Sequence, residues 1–448
     1  MSASGEKSTQ LPEQPCKPAP MLSVADARAF LLAAADAHHG VRDAHEILPT
    51  IEANGRVLAL AQSSRLDVPP MDNTQMDGYA VRAADCASGT ARLVVSQRIP
   101  AGHVGSPLLP GTAARIFTGA MIPSGADAVV MQEACEAQRA DDGDHVTVRH
   151  APVAGDWIRR AGEDIRAGAE ILAAGTRLRA QELGLAASVG LAALPVVRRL
   201  RVAVFFTGDE LAMPGDVLKP GAIYNSNRFM LRGLLENLGC QITDFGIVPD
   251  TLEATRDTLR RAATEHDLII TSGGVSVGEE DHIRPAVEAE GRLTMWQIAV
   301  KPGKPLAFGE VRRTTVSTDG NETNGSGAGD GSFADHAFFL GLPGNPVSSF
   351  VTFLLFVRPF MLRLQGVQAV LPTAYTMRAD FLWPKADRRN EFLRARINAE
   401  GGLDLFENQG SGVLTSTVWG DGLIDNPPGL AIAPGDLVQF LPFSALLG

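Results

Sequence analysis

The sequence predicts a multidomain chain, α/β in one part and β in the others: a doubly wound α/β domain, a β-rich lobe before it and a small β domain at the C-terminus. Three observations predict this. Between residues 198 and 363 continuous apolar strands alternate with helical segments, the texture of a parallel sheet covered on both faces. Residues 64–155, and again those after about 367, are short β-type runs separated by Gly/Pro turns. A length of 448 residues, with 45% hydrophobic and 20% charged residues, exceeds one ordinary core. No self-similarity at a period of 20–50 residues supports a solenoid or propeller, so the modules differ.

Each element has its own signal. The first 20 residues are polar and proline-rich, with no apolar h-region, and read as a loose tail rather than a secretory signal. Ser23 is a natural N-cap for a helix through about Ala35, and a second helix is expected around Glu52 to Ala61. ARLVVSQRI (91–99) and HVTVRH (145–150) are strands of the β-rich lobe. Gly155, Gly162, Gly168 and Gly175 punctuate a hairpin-rich stretch, and a short helix from Gln181 to Ser188 leads to Pro195. In the α/β domain, strands are expected at 201–208, 241–248 and 267–274, with helices at Arg228 to Leu238, stopped by Gly239, and Leu252 to Glu265. The polar run 311–336 interrupts this pattern and reads as a mobile surface insertion. Turns at NPPG (426–429) and APGD (433–436) punctuate a C-terminal barrel or sandwich.

Charge and cysteine usage exclude several roles. The formal charge of −11 opposes nucleic acid and anionic membranes as partners, so an anionic ligand needs a local basic site. The strongly apolar stretch from Phe350 to Val357 ends at Arg358, far short of the roughly 20 residues that span a bilayer, and no membrane segment is expected. Cys16, Cys86, Cys135 and Cys240 have neither CxxC nor metal-type spacing, which suits free thiols and a cytoplasmic location.

Candidate chemistry gathers at strand ends. In TGDEL (207–211) and TSGGVSVGEED (271–281), glycines at a strand-to-helix turn free backbone amides to approach phosphate. Alone, such a glycine loop is as readily ordinary turn chemistry; the adjoining acids Asp209, Glu210, Glu280 and Asp281 shift the balance, because they suit a Mg²⁺ that bridges protein and phosphate oxygens, with exposed loop acids as the alternative. KPGKP (301–305) holds Lys301 and Lys304 three residues apart on a proline-stiffened chain, where both ammonium groups can neutralise an oxyanion. In GLPGNPVSSF (341–350), Asn345 can cap the next helix and Pro346 fits its first position. Asp77 in MDGYAVR (76–82) and Thr118 in RIFTGAMIPSGADAVVMQE (115–133) stand beside glycines, which alone is a common turn.

Taken in order, MDGYAVR, RIFTGA, TGDEL, NSN, SGGVSVGEED, KPGKP and GLPGNPVS resemble the molybdopterin molybdenumtransferases of the MoeA and gephyrin type, over about residues 21–448. The resemblance implies a homodimer with four parts. These are a helical dimerisation region from 21–63 and 156–195, a β-rich lobe over 64–155, a molybdopterin-binding α/β domain over 196–366 and a C-terminal β-barrel over 367–448. It implies that molybdate and adenylylated molybdopterin are substrates, with Mg²⁺ and release of AMP. Dithiolene sulfurs on the pterin supply the soft metal ligands, so the protein needs no Cys/His metal site.

Carried over motif by motif, the functional set is Asp77, Thr118, Asp164, Glu210, Asp250 and Asp281, with Glu210 and Asp281 as magnesium or phosphate-site carboxylates. Lys301 and Lys304 would bind molybdate or phosphate, Ser272, Gly273 and Gly274 the pterin phosphate, and Pro343 and Pro346 would shape the pocket. Arg394 and Ser411 resemble cleft-lining positions of the C-terminal domain. Asn225 departs from the pattern, standing where the family often has aspartate. Partners implied are the molybdopterin adenylyltransferase and molybdoenzymes or their chaperones. The competing readings are an adenylyltransferase, which usually lacks the extra domains, and a noncatalytic scaffold, which needs neither Asp77 nor Glu210.

Overall fold

The structure is a computed structural model that describes residues 21–38, 40–274, 282–303, 305–313 and 336–447. The chain forms two compact units, His45–Val196 and, from both sides of it, Met1–Ala44 with Val197–Gly448.

In the first unit a six-stranded sheet runs in the order Ala128–Met131, Gly78–Val81, Thr112–Ile116, Ala91–Ile99, Gly143–Val148, Cys135–Ala140. Neighbours pair antiparallel except 91–99 with 112–116, which are parallel. Alternating side chains feed two cores, one with Tyr79, Val81, Leu93 and Val146, the other with Ala80, Ile99, Ile116 and Val129. Beside this sheet, Gln62–Ser63 pairs with Glu170–Leu172, and Ala53, Leu58, Leu178 and Leu194 share a third core with Ala186 of helix Ala180–Ser188. The helix expected over residues 52–61 does not form. A single 3-10 turn, Thr50–Glu52, ends at Asn54-Gly55, where Gly55 takes φ 76°, and Val57 and Leu58 bridge to Arg177 and Val196. The Asn-Gly turn outweighs the apolar pattern around it.

The second unit begins with helix Val24–Ala37, capped by Ser23, whose hydroxyl accepts from the Asp26 N–H. Its Phe30 packs edge-on against Phe308 of the α/β domain, so residues 21–37 and 45–63 lie in different units. The central sheet runs in the order Gln241–Val248, Arg201–Thr207, Leu268–Ser272, His336–Leu342, Pro305–Arg312, Gly291–Gln297. The first four strands pair in parallel, but 305–312 is antiparallel to both of its neighbours. The expected parallel sheet is therefore mixed. Antiparallel neighbours need no crossover helix between 305–312 and 336–342. Their pairing continues to Arg312 opposite His336, and residues 314–335 of the run expected as an insertion lie outside the described residues.

Helices cover both faces of this sheet. Leu259, Ala262 and Ala263 of helix Leu252–Glu265 and Ile283, Ala286 and Val287 of helix Ile283–Glu290 pack on Ala203, Phe205, Ile269 and Phe339. On the opposite face, Phe308 and Phe338 meet Phe360 at ring separations of 5.7 and 5.1 Å. Phe360 belongs to the 19-residue helical run Pro346–Leu364, which is long and apolar enough to cross a membrane but has 94% of its apolar window buried inside the fold. A π turn, Phe353–Val357, sits just ahead of Pro359, whose missing N–H interrupts the regular ladder.

The C-terminal sheet runs Asn390–Ile397, Gly422–Asn426, Leu437–Pro442, Tyr375–Arg378, all antiparallel. Leu403–Leu405 pairs with the far half of 390–397, and a bridge from Ala379 to Leu403 brings the last strand back to it. A two-residue strand of the α/β domain, Val300–Lys301, joins in parallel beside Asn390 and Glu391. That pairing ties the C-terminal sheet to the loop holding Lys301.

Candidate functional site

Parallel strands all point their carboxyl ends the same way, so the loops that follow them meet at one edge of the sheet. There the structure forms a cavity of about 810 Å³. The predicted residues Glu210, Asp250, Ser272, Gly273, Gly274, Lys301, Pro343, Pro346 and Ser411 all line it. Apart from Lys301 and Ser411 they stand at or just after the ends of strands 201–207, 241–248, 268–272 and 336–342; Lys301 follows strand 291–297, and Ser411 lies in the loop between Leu403–Leu405 and helix Thr415–Trp419 of the C-terminal domain.

Hydrogen bonds fix these loops to one another. Asn227 Nδ2 donates to Ser272 Oγ at 2.8 Å and to the Gly344 carbonyl at 2.8 Å, and Ser272 Oγ donates to the Pro343 carbonyl at 3.0 Å. Two strand ends and the start of helix Ser226–Asn237 are thus joined through two small side chains. Gly273 has φ 101°, and a Cβ there would lie 2.9 Å from the Thr207 carbonyl oxygen, so only glycine allows the neighbouring loops to approach this closely. Asn345 occupies the N-cap of the 346–364 run as expected but makes no side-chain cap bond. Instead, the Val347 N–H donates to the Ser411 carbonyl at 3.0 Å, so the C-terminal domain satisfies one of that helix's orphan donors.

Among the described residues, the two cations of the cavity wall, Lys301 and Arg389, are held by carboxylates. Lys301 Nζ donates to Glu391 Oε1 at 2.9 Å and lies 3.5 Å from Asp387 Oδ2. Glu391 is almost fully buried, and its other oxygen accepts from Trp383 Nε1 at 2.8 Å and Asn426 Nδ2 at 3.3 Å. Arg389, which the sequence reading did not single out, also lines the cavity and grips Asp387 through two donors at 3.1 and 3.0 Å. Hydrogen bonding from Arg389 holds the Asp387 carboxyl well below the usual carboxylate range. Each guanidinium or ammonium is therefore pre-placed by an acid beneath it.

Arg394 does not line the cavity, which corrects the sequence reading. In strand 390–397 it points inward and is fully buried, with Nε donating to Ser416 Oγ at 3.1 Å and Nη2 to the Gly410 carbonyl at 3.2 Å. Burial pulls its guanidinium down to about 10. It anchors the 409–411 loop from below. Strand alternation separates it from Arg389, one residue before the strand, and RRNEFLRA offers three arginines that sequence alone cannot rank.

The remaining predicted residues are elsewhere. Asp77 and Thr118 lie in the His45–Val196 unit and are bonded to each other, the Thr118 N–H and Oγ both donating to Asp77 Oδ1 at 2.8 Å. Those bonds, the backbone one foremost, hold the Asp77 carboxyl below its ordinary value. Asp164 sits in an exposed turn of the same unit, its N–H bonded to the Val68 carbonyl. Asp281 and Lys304 lie outside the described residues. The sequence reading passed over Thr207, Asn227 and Gln409, neutral cavity residues that carry no charge signal, and noted Asn225 only as a departure from a motif.

Models of known families match three consecutive stretches: the MoeA N-terminal region (domains I and II) over residues 22–190, a probable molybdopterin binding domain over 203–363, and the MoeA C-terminal region (domain IV) over 376–443. The molybdopterin molybdenumtransferase of Haemophilus influenzae is 37% identical over 410 residues, spanning 90% of this chain and 95% of its own. Molybdopterin molybdenumtransferase 2 of Mycobacterium tuberculosis is 36% identical over 412 residues, spanning 88% and 93%. Among solved structures, a molybdopterin biosynthesis MoeA protein from Pyrococcus horikoshii OT3 superposes with a TM-score of 0.77 at 27% identity, over 94% of this chain and 100% of that one.

Proposed function

This chain belongs to the molybdopterin molybdenumtransferase family, and from that membership we propose that it inserts molybdenum from molybdate into adenylylated molybdopterin and releases AMP. The observation that carries this reading is the convergence of Glu210, Asp250, Ser272, Lys301 and Ser411, from separate loops, on one cavity. Such a cavity suits anionic reactants that must be held together, since the pterin itself supplies the soft ligands for the metal.

The donor set fits Mg²⁺. Two carboxylates, Glu210 and Asp250, line the cavity, and no group of three or more His, Cys, Asp or Glu residues forms a cage among the described residues. Mg²⁺ usually takes one or two carboxylates, substrate phosphate oxygens and water. Glu210, together with Asp281, is assigned to hold it, and bound there it would neutralise charge on the phosphate linkage that is cleaved. Lys301 and Lys304 orient the anions, the Ser272–Gly274 turn meets phosphate with its backbone, and Pro343 and Pro346 keep the facing loop rigid. Asp77, Thr118 and Asp164 complete the proposed catalytic set. A homodimer and a cytoplasmic location belong to the same proposal, with the adenylyltransferase and molybdoenzymes or their chaperones as partners.

The test is AMP release from adenylylated molybdopterin by the purified chain with Mg²⁺. Release that depends on molybdate supports insertion, whereas AMP-pterin formed from the free pterin and Mg-ATP supports adenylyl transfer instead. Glu210→Gln should slow release by at least about tenfold. An undiminished rate in that variant would remove Glu210 from the catalytic set, and absence of AMP release by the parent chain would favour a scaffold.

A further inference from the structure

Among the described residues, three polar atoms of the cavity wall are buried without a partner: Thr207 Oγ1, Asn225 Nδ2 and Asn227 Oδ1. Of these, Asn225 has its orientation fixed by chemistry. Asn225 is the N-cap of the 12-residue helix Ser226–Asn237, and its Oδ1 accepts from the Arg228 N–H at 3.1 Å. A backbone N–H can only donate, so the oxygen must face the helix and the NH₂ group must face away from it. The side chain is 2% exposed, and leaving a donor there unsatisfied is costly.

We propose that Asn225 Nδ2 donates a hydrogen bond to an anionic oxygen of the bound substrate, phosphoryl or tetrahedral oxyanion, and so helps to set what the cavity accepts. The inference rests on the function proposed above. Two features of the site favour an anionic acceptor over a neutral one. The donor sits at a helix N-terminus, where backbone dipoles favour negative charge, and Lys301 and Arg389 line the same cavity. A carboxylate at this position would face such an oxygen only across a bridging cation. The amide reaches it directly, which gives a physical meaning to asparagine where resembling chains often carry aspartate.

Asn225→Ser and Asn225→Asp test this, because serine and aspartate oxygens both cap helices while neither presents the long NH₂ donor. AMP and molybdate are titrated separately by calorimetry into the full chain and both variants, in buffer with EDTA. Asn225→Ser should weaken at least one ligand by about fivefold to tenfold, and Asn225→Asp should weaken it further through repulsion. Unfolding midpoints should stay within about 2 °C of the parent. Weakening confined to AMP assigns the donor to the phosphoryl group, and weakening confined to molybdate assigns it to the oxyanion. Parent-like affinity of both variants for both ligands overturns the assignment alone. A parent chain that binds neither ligand, in EDTA or with Mg²⁺ restored, overturns the assignment together with the function on which it rests.

Discussion

At the scale of single residues, the pair of Asp77 and Thr118 shows how a turn becomes a poised group. MDG and FTG are each common turns, yet the fold brings them together so that one carboxylate oxygen accepts both donors of a single threonine. Thr118→Val removes the hydroxyl but keeps the backbone N–H. The carboxyl of Asp77 should then titrate higher than in the parent while staying below its ordinary value, because the stronger backbone contribution remains. Carboxyl chemical shifts followed against pH measure this directly. An unchanged midpoint would mean that the hydroxyl contributes nothing to the charged form.

At the scale of elements, an ion-pair cluster gathers at the start of an interior strand of the central sheet. Asp267, immediately before strand Leu268–Ser272, is 3% exposed and accepts from Arg198 at 2.6 and 2.8 Å, from the Arg201 N–H at 2.9 Å and from the Arg201 side chain at 3.2 Å. Burial by itself would raise its pKa, but hydrogen bonding from Arg198 and Arg201 prevails and lowers it. A carboxylate depressed in the folded state stabilises the fold above the unfolded-state value, and that contribution disappears as pH falls through the folded one. Asp267→Asn leaves the half-buried Arg198 and Arg201 without their carboxylate and should cost about 2 kcal/mol near neutrality. In urea titrations the gap between parent and variant should shrink only below about pH 4. A gap that stays constant down to pH 2 would point to packing instead of charge.

At the scale of the whole molecule, the contact between the first helix and the central sheet is sensitive to acid. His38 follows helix Val24–Ala37 and packs against Phe338 at 5.1 Å and His336 at 6.2 Å between ring centres. Burial, and then repulsion from His336, lowers its pKa from 6.5 to about 4. The unfolded chain therefore takes up a proton near pH 6.5 that the folded chain refuses until about pH 4, and stability falls as pH drops through that window. Melting temperatures should decline over this range in the parent and less steeply in His38→Gln. Parallel declines would show that other groups dominate.

The sequence by itself determined what is local. It placed strand Gln241–Val248, helix Leu252–Glu265 and strand Ala91–Ile99 at their observed bounds and identified the Ser23 cap, because hydrophobic period, glycine stops and capping residues act over a few positions. The motif residues of the strand-end loops were legible for the same reason, and their ordered resemblance gave the family. Tertiary structure alone decided which of those residues share a cavity, that Arg389 lines it while Arg394 lies buried beneath, and that Lys301 rests on Glu391 ninety positions along the chain. It also turned the 305–312 strand antiparallel and replaced the expected helix near Glu52 with a turn. Strand order, register and which face a side chain takes depend on partners far away in sequence, and no short-range pattern encodes those partners.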